Sequence, residues 1–143
     1  MERRRFPRDF ALVYRHFPLP MHQFARAAAE ASECAAQQGR FEQMHATLFD
    51  QQDSIGVASW RSLARVAGVP NLTSFDRCMR DSTGLAPVTR DHIAARRLAS
   101  HATPTVLING VRFSGAIAQP VLDSLIGNAI HVRVPLGKTS DLR

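Results

Sequence analysis

The chain has 143 residues, 45% of them hydrophobic, and a formal net charge of +6. That length supports one compact core and is too short for two ordinary domains. No apolar run approaches the roughly 20 residues of a membrane span, and the basic start is not followed by the apolar stretch of a signal peptide, so we expect no membrane partner.

The positive charge is almost entirely arginine, since Lys138 is the single lysine among 18 cations. A basic protein can bind nucleic acid when its cations gather on one face, and here Arg90, Arg96 and Arg97 with the Arg3 to Arg5 cluster could contact phosphates. Because the cations are spread along the chain, we favour a solvated arginine face and place nucleic acid last among the partners considered.

The first predicted element is a strand over residues 10–17 (FALVYRHF). Its nearly continuous apolar and aromatic residues are typical of a strand that is covered on both faces. Pro18 and Pro20 end this strand. The spacing of apolar residues then predicts an alanine-rich helix from Met21 to Gln38, with Gly39 placed to terminate it.

Four more helices follow in the prediction. One begins near Phe41, one follows Ser59 as its N-cap, one follows Asn71 as its candidate cap, and one covers residues 88–101.

The period then changes from helix to strand. Residues 105–108 and 111–114 flank Asn109-Gly110, the pair typical of a type I′ turn, and so predict a hairpin. A closing helix follows over residues 120–126. The order of strand, helices, hairpin and helix predicts an α/β fold that carries a large helical insertion.

One further strand is a candidate. Residues 130–135 (IHVRVP) alternate in polarity, and a right-handed crossover could lay them beside the hairpin. The alternatives are a frayed tail or strand exchange between two chains.

Three segments in this order carry a resemblance to a known family: Leu12 to His22 (LVYRHFPLPMH), Gln38 to Phe49 (QGRFEQMHATLF) and Ala102 to Gly110 (ATPTVLING). Together they resemble the DsbA-type branch of the thioredoxin-fold disulfide oxidoreductases, over about residues 10–127. The resemblance implies a single thioredoxin-like domain, with residues 10–17 and 102–127 as the thioredoxin part. Residues 21–101 would form an inserted helical domain, and residues 128–143 a tail.

The family's redox motif is missing from this sequence. Relatives carry a Cys-x-x-Cys at the start of the first helix, where the helix N-terminus stabilises a thiolate. Only Met1 to Asp9 precede the strand at residues 10–17, so we expect the first strand and most of the first helix to be lacking. We favour a fragment of a complete oxidoreductase over a short relative that has lost its redox half, and we assign no catalytic residue.

A missing central strand would leave unpaired backbone groups in the sheet, each costing on the order of 1 to 3 kcal/mol if buried. The sheet must then close up, recruit another segment or pair with a second copy, so a homodimer through sheet completion is one expected partner.

The resemblance implies a substrate site at Thr103 and Pro104. In the family, the backbone before this proline pairs with an extended polypeptide, which is a protein thiol or disulfide substrate. The alternative is a plain turn that enters the hairpin.

The two cysteines, Cys34 and Cys78, lie on inner stripes of two helices and could form a structural disulfide or remain buried thiols. His22 and His45 are interpreted as capping or packed residues. No Cys/His set has metal-ligand spacing and no cofactor fingerprint is present, so we predict neither a metal nor a cofactor.

The sequence therefore predicts a DsbA-like thiol-disulfide oxidoreductase domain, truncated or degenerate and redox-inactive as given. The alternatives are a redox-dead module that binds peptides through the proline loop and, last, a nucleic-acid binder. Whether the chain is an enzyme is not decided by its sequence. No compartment follows either, because the family is often extracytoplasmic and this sequence shows no signal peptide.

Overall fold

The computed structural model describes residues 11 to 131. It divides into two compact units, a helical unit over Arg15–Ala99 and a hairpin unit whose described part is residues 11–14 and 100–131. None of the described helices is long and apolar enough to cross a membrane.

Five α-helices and one short 3-10 turn, Gln52–Ser54, build the helical unit. In chain order the helices are α1 (Ala25–Ala36), α2 (Phe41–Asp50), α3 (Trp60–Val66), α4 (Leu72–Asp81) and α5 (Leu85–Arg97).

Local sequence signals explain where these helices begin. The Ser59 side chain accepts the Ser62 N–H ahead of α3, and the Asn71 side chain accepts the Ser74 N–H at 2.9 Å ahead of α4. Each bond satisfies an amide that has no partner inside the helix. Both predicted caps are confirmed.

Gly39 turns the chain between α1 and α2. Its φ of +69° lies in the left-handed region, which is costly for residues that carry a Cβ but is readily adopted by glycine. The connection is four residues long, which makes α1 and α2 antiparallel neighbours.

Several helix boundaries differ from the prediction. The helix expected from Met21 begins at Ala25, because the chain before it forms tight turns in which the His22 carbonyl accepts the Ala25 N–H at 3.0 Å. The helix expected to reach His101 ends at Arg97.

The core of the described chain lies in the helical unit. Its largest fully buried side chains are Phe75, Met44, Leu63 and Cys34, contributed by four different helices. Smaller buried residues complete the cluster: Ala31, Ala35, Leu48, Ala64, Ala67, Val69 and Cys78. Burial of these apolar faces is what makes short helices stable together.

The strand predicted over residues 10–17 is wrong for the residues described, since 11–19 form neither helix nor strand. The side chains of Leu12 and Val13 are 64% and 69% exposed, so the segment is not covered on both faces. A strand requires a partner for its backbone groups, and among the described residues this segment has none in a ladder. Phe10 lies outside the described residues.

The described part of the hairpin unit holds a two-stranded antiparallel sheet and one helix. The strands are β1 (Thr105–Ile108) and β2 (Val111–Ser114), and α6 spans Gln119–His131. Asn109 and Gly110 between the strands have φ of +47° and +85°, as a type I′ turn requires. The predicted hairpin is confirmed residue for residue.

The strand proposed for residues 130–135 is wrong at its first two positions, because Ile130 and His131 belong to α6. The remaining four positions lie outside the described residues, as does most of the tail from 128 to 143. The helix predicted over residues 120–126 therefore extends to His131, into the segment whose alternating polarity predicted a strand.

Candidate functional site

The outer edge of β1 is the first feature of the candidate site. Ile108 pairs with Val111 across the two-residue turn, and the Gly115 N–H donates to the Pro104 carbonyl at 2.8 Å. Backbone groups alternate in direction along an antiparallel strand. Thr105 therefore directs its N–H and C=O away from β2, and no other described strand pairs with that edge.

Leu107 shares this outward direction, because it is two residues beyond Thr105. Its side chain is 44% exposed. β1 thus offers two residues whose backbone donors and acceptors could bond an added extended chain.

The predicted substrate residues stand directly before this edge. The Thr103–Pro104 peptide bond is cis, and both residues are exposed. The Thr105 hydroxyl donates to the Ala102 carbonyl at 2.7 Å, which ties the loop to the first residue of β1. Their role in substrate binding stays a prediction, while their position is directly before an edge that no other strand within residues 11–131 pairs with.

The structure joins Cys34 of α1 to Cys78 of α4 in a disulfide whose Cα atoms are 5.7 Å apart. The two residues are 1% and 5% exposed, and no free cysteine remains in the chain. A disulfide so enclosed by core side chains stabilises the fold. Its burial also keeps an attacking thiolate from reaching either sulfur.

A buried polar cluster was not predicted from the sequence. His16 is 3% exposed, and its Nε2 lies 2.9 Å from an oxygen of Glu33 on α1. The His16 backbone N–H donates to the Asp91 carboxylate at 3.2 Å, and Arg15 donates to the other oxygen of Asp91 at 2.8 Å. The cluster attaches the segment before α1 to both α1 and α5.

One signal could have revealed this cluster. The polar pair Arg15-His16 interrupts an otherwise apolar run, which indicates that the run is not a uniformly buried strand. The carboxylate partners lie 17 and 76 positions away, and no local pattern identifies them.

His45 packs between two aromatic rings on α2. Its ring stacks on Phe41 with centroids 5.7 Å apart and meets Phe49 edge-on at 4.9 Å. Burial, and secondly the charge of nearby His16, lower the pKa of His45 below its ordinary value. His45 is thus a packed residue, whereas His22 is exposed and contributes its carbonyl to a turn.

The remaining histidines and the arginines at the end of α5 differ in exposure. His92 is half-buried against Phe17, with ring centroids 5.0 Å apart. His101 is exposed. Arg96 and Arg97 are exposed in the last turn of α5, where cations interact favourably with the negative end of the helix dipole.

Glu30 on α1 is also buried, 7% exposed, and one of its oxygens has no hydrogen-bond partner among the described residues. Burial raises the pKa of Glu30, while a hydrogen bond with Ser82 and the charge of Arg26 act in the opposite direction. Within residues 11–131, no group of three or more His, Cys, Asp or Glu side chains could hold a metal ion.

Comparison with known proteins gives one family match. Residues 10–128 match the Thioredoxin_4 family, whose description is thioredoxin. This range includes both the helical unit and the hairpin.

Curated relatives carry a different name. The chain is 41% identical over 118 residues to the Na(+)/H(+) antiporter NhaA 1 of Mycolicibacterium vanbaalenii, covering 79% of this chain and 19% of that protein. It is 34% identical to NhaA 3 of Salinispora tropica, covering 82% and 18%. It is 30% identical to NhaA of Nitrosospira multiformis, covering 90% and 21%. The chain thus spans about a fifth of the length of these relatives.

Proposed function

Because this chain belongs to the thioredoxin family matched over residues 10–128, we propose that it is a DsbA-like domain that binds extended polypeptide without exchanging disulfides. The observation that carries the proposal is the outer edge of β1, with which no other described strand pairs, beside the exposed Thr103 and Pro104. An extended chain added there would gain main-chain hydrogen bonds, as in other strand-addition complexes.

The proposed layout follows the DsbA-type branch. Residues 21–101 would be its inserted helical domain, and residues 102–127 would belong to its thioredoxin part. The given sequence contains no Cys-x-x-Cys, and its two cysteines are joined inside the helical core. This supports a binding role for the chain as given, with disulfide exchange requiring the missing motif.

A substitution at the β1 edge tests the binding role. Leu107→Pro removes an N–H that points away from β2, so it blocks the edge and leaves the bonds of the hairpin in place. We expect the affinity for a fluorescein-labelled peptide of alternating valine and threonine to fall about fivefold to tenfold, since lost hydrogen bonds contribute about 1 kcal/mol each. Fluorescence anisotropy measures this.

Ser114→Pro is the matched control, because the Ser114 N–H points to the outer edge of β2. It should leave the affinity unchanged. Equal losses in the two variants, or a loss in neither, would contradict binding at β1.

The lack of redox activity has its own test. Alkylation across a glutathione redox series, read by intact mass, should find Cys34 and Cys78 bonded over the range in which the fold persists. If the pair opens and closes near the glutathione potential while the chain stays folded, the binding-only assignment is wrong.

The same β1 edge could instead pair with a second copy of the chain. Sedimentation equilibrium separates this proposal from peptide binding. One outcome would be a dimer that dissociates in the Leu107→Pro variant and is not displaced by the valine-threonine peptide. That outcome would mean that β1 completes a sheet between two chains and does not bind peptide.

The names of the relatives favour a partner class. Each of the three is named a Na(+)/H(+) antiporter, and the chain resembles about a fifth of each. We therefore propose a polypeptide segment of such a transporter as the bound chain. Co-purification of the antiporter with the unmodified chain, reduced by Leu107→Pro and retained by Ser114→Pro, is the expected result.

A further inference from the structure

One end of the helical unit exposes several large apolar side chains. Since α1 and α2 are antiparallel, Phe24 just before α1 and Phe49 in the last turn of α2 lie at the same end of the pair. The Phe24 ring rests on Gly56, where an added Cβ would come within 2.4 Å of two ring carbons. The loop that carries Val57 is therefore at this end as well.

These residues are open to solvent. Val57 is 90% exposed, Met21 79%, Phe49 65% and Phe24 38%. We call these four residues the apolar end. Single exposed apolar side chains are ordinary on a protein surface, but several at one end of a small helical unit indicate a contact surface.

The charge beside Phe49 and Val57 is opposite to that of the chain, whereas the exposed Arg26 lies two positions after Phe24. Residues 43–59 contain two acidic residues and neither lysine nor arginine, in a protein with 18 cations and a net charge of +6. Asp50 follows Phe49 directly, and Asp53 lies three positions before Gly56. Both carboxylates are exposed, and neither has an ion pair among the described residues.

We propose that the apolar end binds a basic amphipathic polypeptide segment, whose apolar side chains cover Phe49 and Val57 and whose lysines or arginines face Asp50 and Asp53. Asp50 and Asp53 determine which partner binds, because their negative charges attract a basic segment and repel an anionic membrane or an acidic peptide. The site lies within the helical unit and does not depend on the peptide edge of β1.

A labelled peptide of alternating leucine and lysine is the probe, titrated against the full chain and followed by fluorescence anisotropy. Phe49→Ser combined with Val57→Ser should weaken binding at least about tenfold, as expected when a central aromatic contact is lost. Asp50→Asn combined with Asp53→Asn should weaken it about threefold at low salt and flatten its salt dependence. All four residues are exposed, so the variants should fold.

Matched controls come from the same unit. Val66→Ser removes a side chain that is 59% exposed at the end of α3, and Asp81→Asn removes an exposed carboxylate. Both should bind the leucine-lysine peptide as the unmodified chain does. Leu107→Pro should also bind it normally, so failure at the β1 edge and failure at the apolar end give different results.

Several outcomes would overturn the proposal. One is equal binding of a leucine-glutamate peptide, and another is equal binding of phosphatidylglycerol vesicles. A third is dimerisation of the chain that Phe49→Ser with Val57→Ser abolishes, because a second copy would then cover this end. Unchanged affinity in the Phe49 and Val57 variant would exclude the surface altogether.

Discussion

The two units of this chain differ in what holds them together. The helical unit has a cluster of buried apolar residues, a disulfide and a buried carboxylate that bonds the chain before α1. In the described part of the hairpin unit, Ile126 is the single buried apolar side chain, and β1 and β2 are four residues each.

The comparison indicates a division of roles. Stability comes from buried apolar area and cross-links, which are concentrated in Arg15–Ala99. The open backbone of β1 belongs to the sparsely packed unit, and such edges are where added chains bind. If this division is correct, substitutions should affect one unit with little effect on the other.

The largest effect is expected from loss of the disulfide. Replacing Cys34 and Cys78 by alanine frees a loop with a sequence separation of 44 in the unfolded chain, and the entropic model gives a loss of about 4 kcal/mol. Urea denaturation followed by helical circular dichroism measures the change.

A thiol reductant provides the control for that experiment. It should destabilise the unmodified chain and have no effect on the double alanine variant. A variant that unfolds at the same urea concentration as the unmodified chain would show that packing alone sustains the helical unit.

The next largest effect is expected at Asp91. Asp91→Ala leaves the buried His16 N–H without its acceptor, at a cost of about 2 kcal/mol. Asp91→Asn keeps a side-chain oxygen for that bond and should cost less. Denaturation curves of the two variants give the difference.

Arg15→Ala is the matched comparison, because it removes the Arg15–Asp91 ion pair while the His16 bond and the Arg90–Asp91 pair remain. The Arg15 side chain is 55% exposed, so its pair with Asp91 should contribute less than about 1 kcal/mol. A loss in Arg15→Ala as large as in Asp91→Ala would assign the energy to the ion pair.

What the sequence could predict follows the same division between local and distant contacts. Three features that depend only on neighbouring residues were predicted correctly: the helix starts at Ser59 and Asn71 and the hairpin at Asn109-Gly110. Residues 10–17 gave a wrong strand, because strand formation requires a partner whose position their own pattern does not encode.

The site shows the same limit. Thr103 and Pro104 were predicted from a contiguous motif, and their binding role stays a prediction, whereas the partners of His16 lie far along the chain and were missed. The apolar end was missed for a similar reason, since Phe24 and Gly56 meet through the packing of helices.

A smaller effect is expected in the hairpin. Gly110 has φ of +85°, so Gly110→Ala places a Cβ in the left-handed region at a cost of about 1 kcal/mol although nothing lies within 4 Å. Amide hydrogen exchange of β1 and β2 should become faster. The midpoint of urea denaturation followed by helical circular dichroism should stay unchanged. Gly127→Ala within α6, where space is also open, should slow exchange or leave it unchanged.

Equal loss of protection in the helices and in the hairpin after Gly110→Ala would break the comparison. It would show that the two units unfold together.

The smallest effect is a pH dependence set by the helical unit. The pKa of His45 is lowered in the folded state from its ordinary 6.5, chiefly by burial, so the unfolded chain binds more protons and stability falls as the pH drops below 6.5. The pKa of Glu30 is raised from 4.5, so its contribution has the opposite sign and is lost as the pH rises through the folded value. His45→Gln should therefore flatten the acid loss of stability, and Glu30→Gln should steepen it, in urea midpoints measured from pH 7 to pH 4. Equal slopes in both variants would mean that groups other than His45 and Glu30 set the pH dependence of the helical unit.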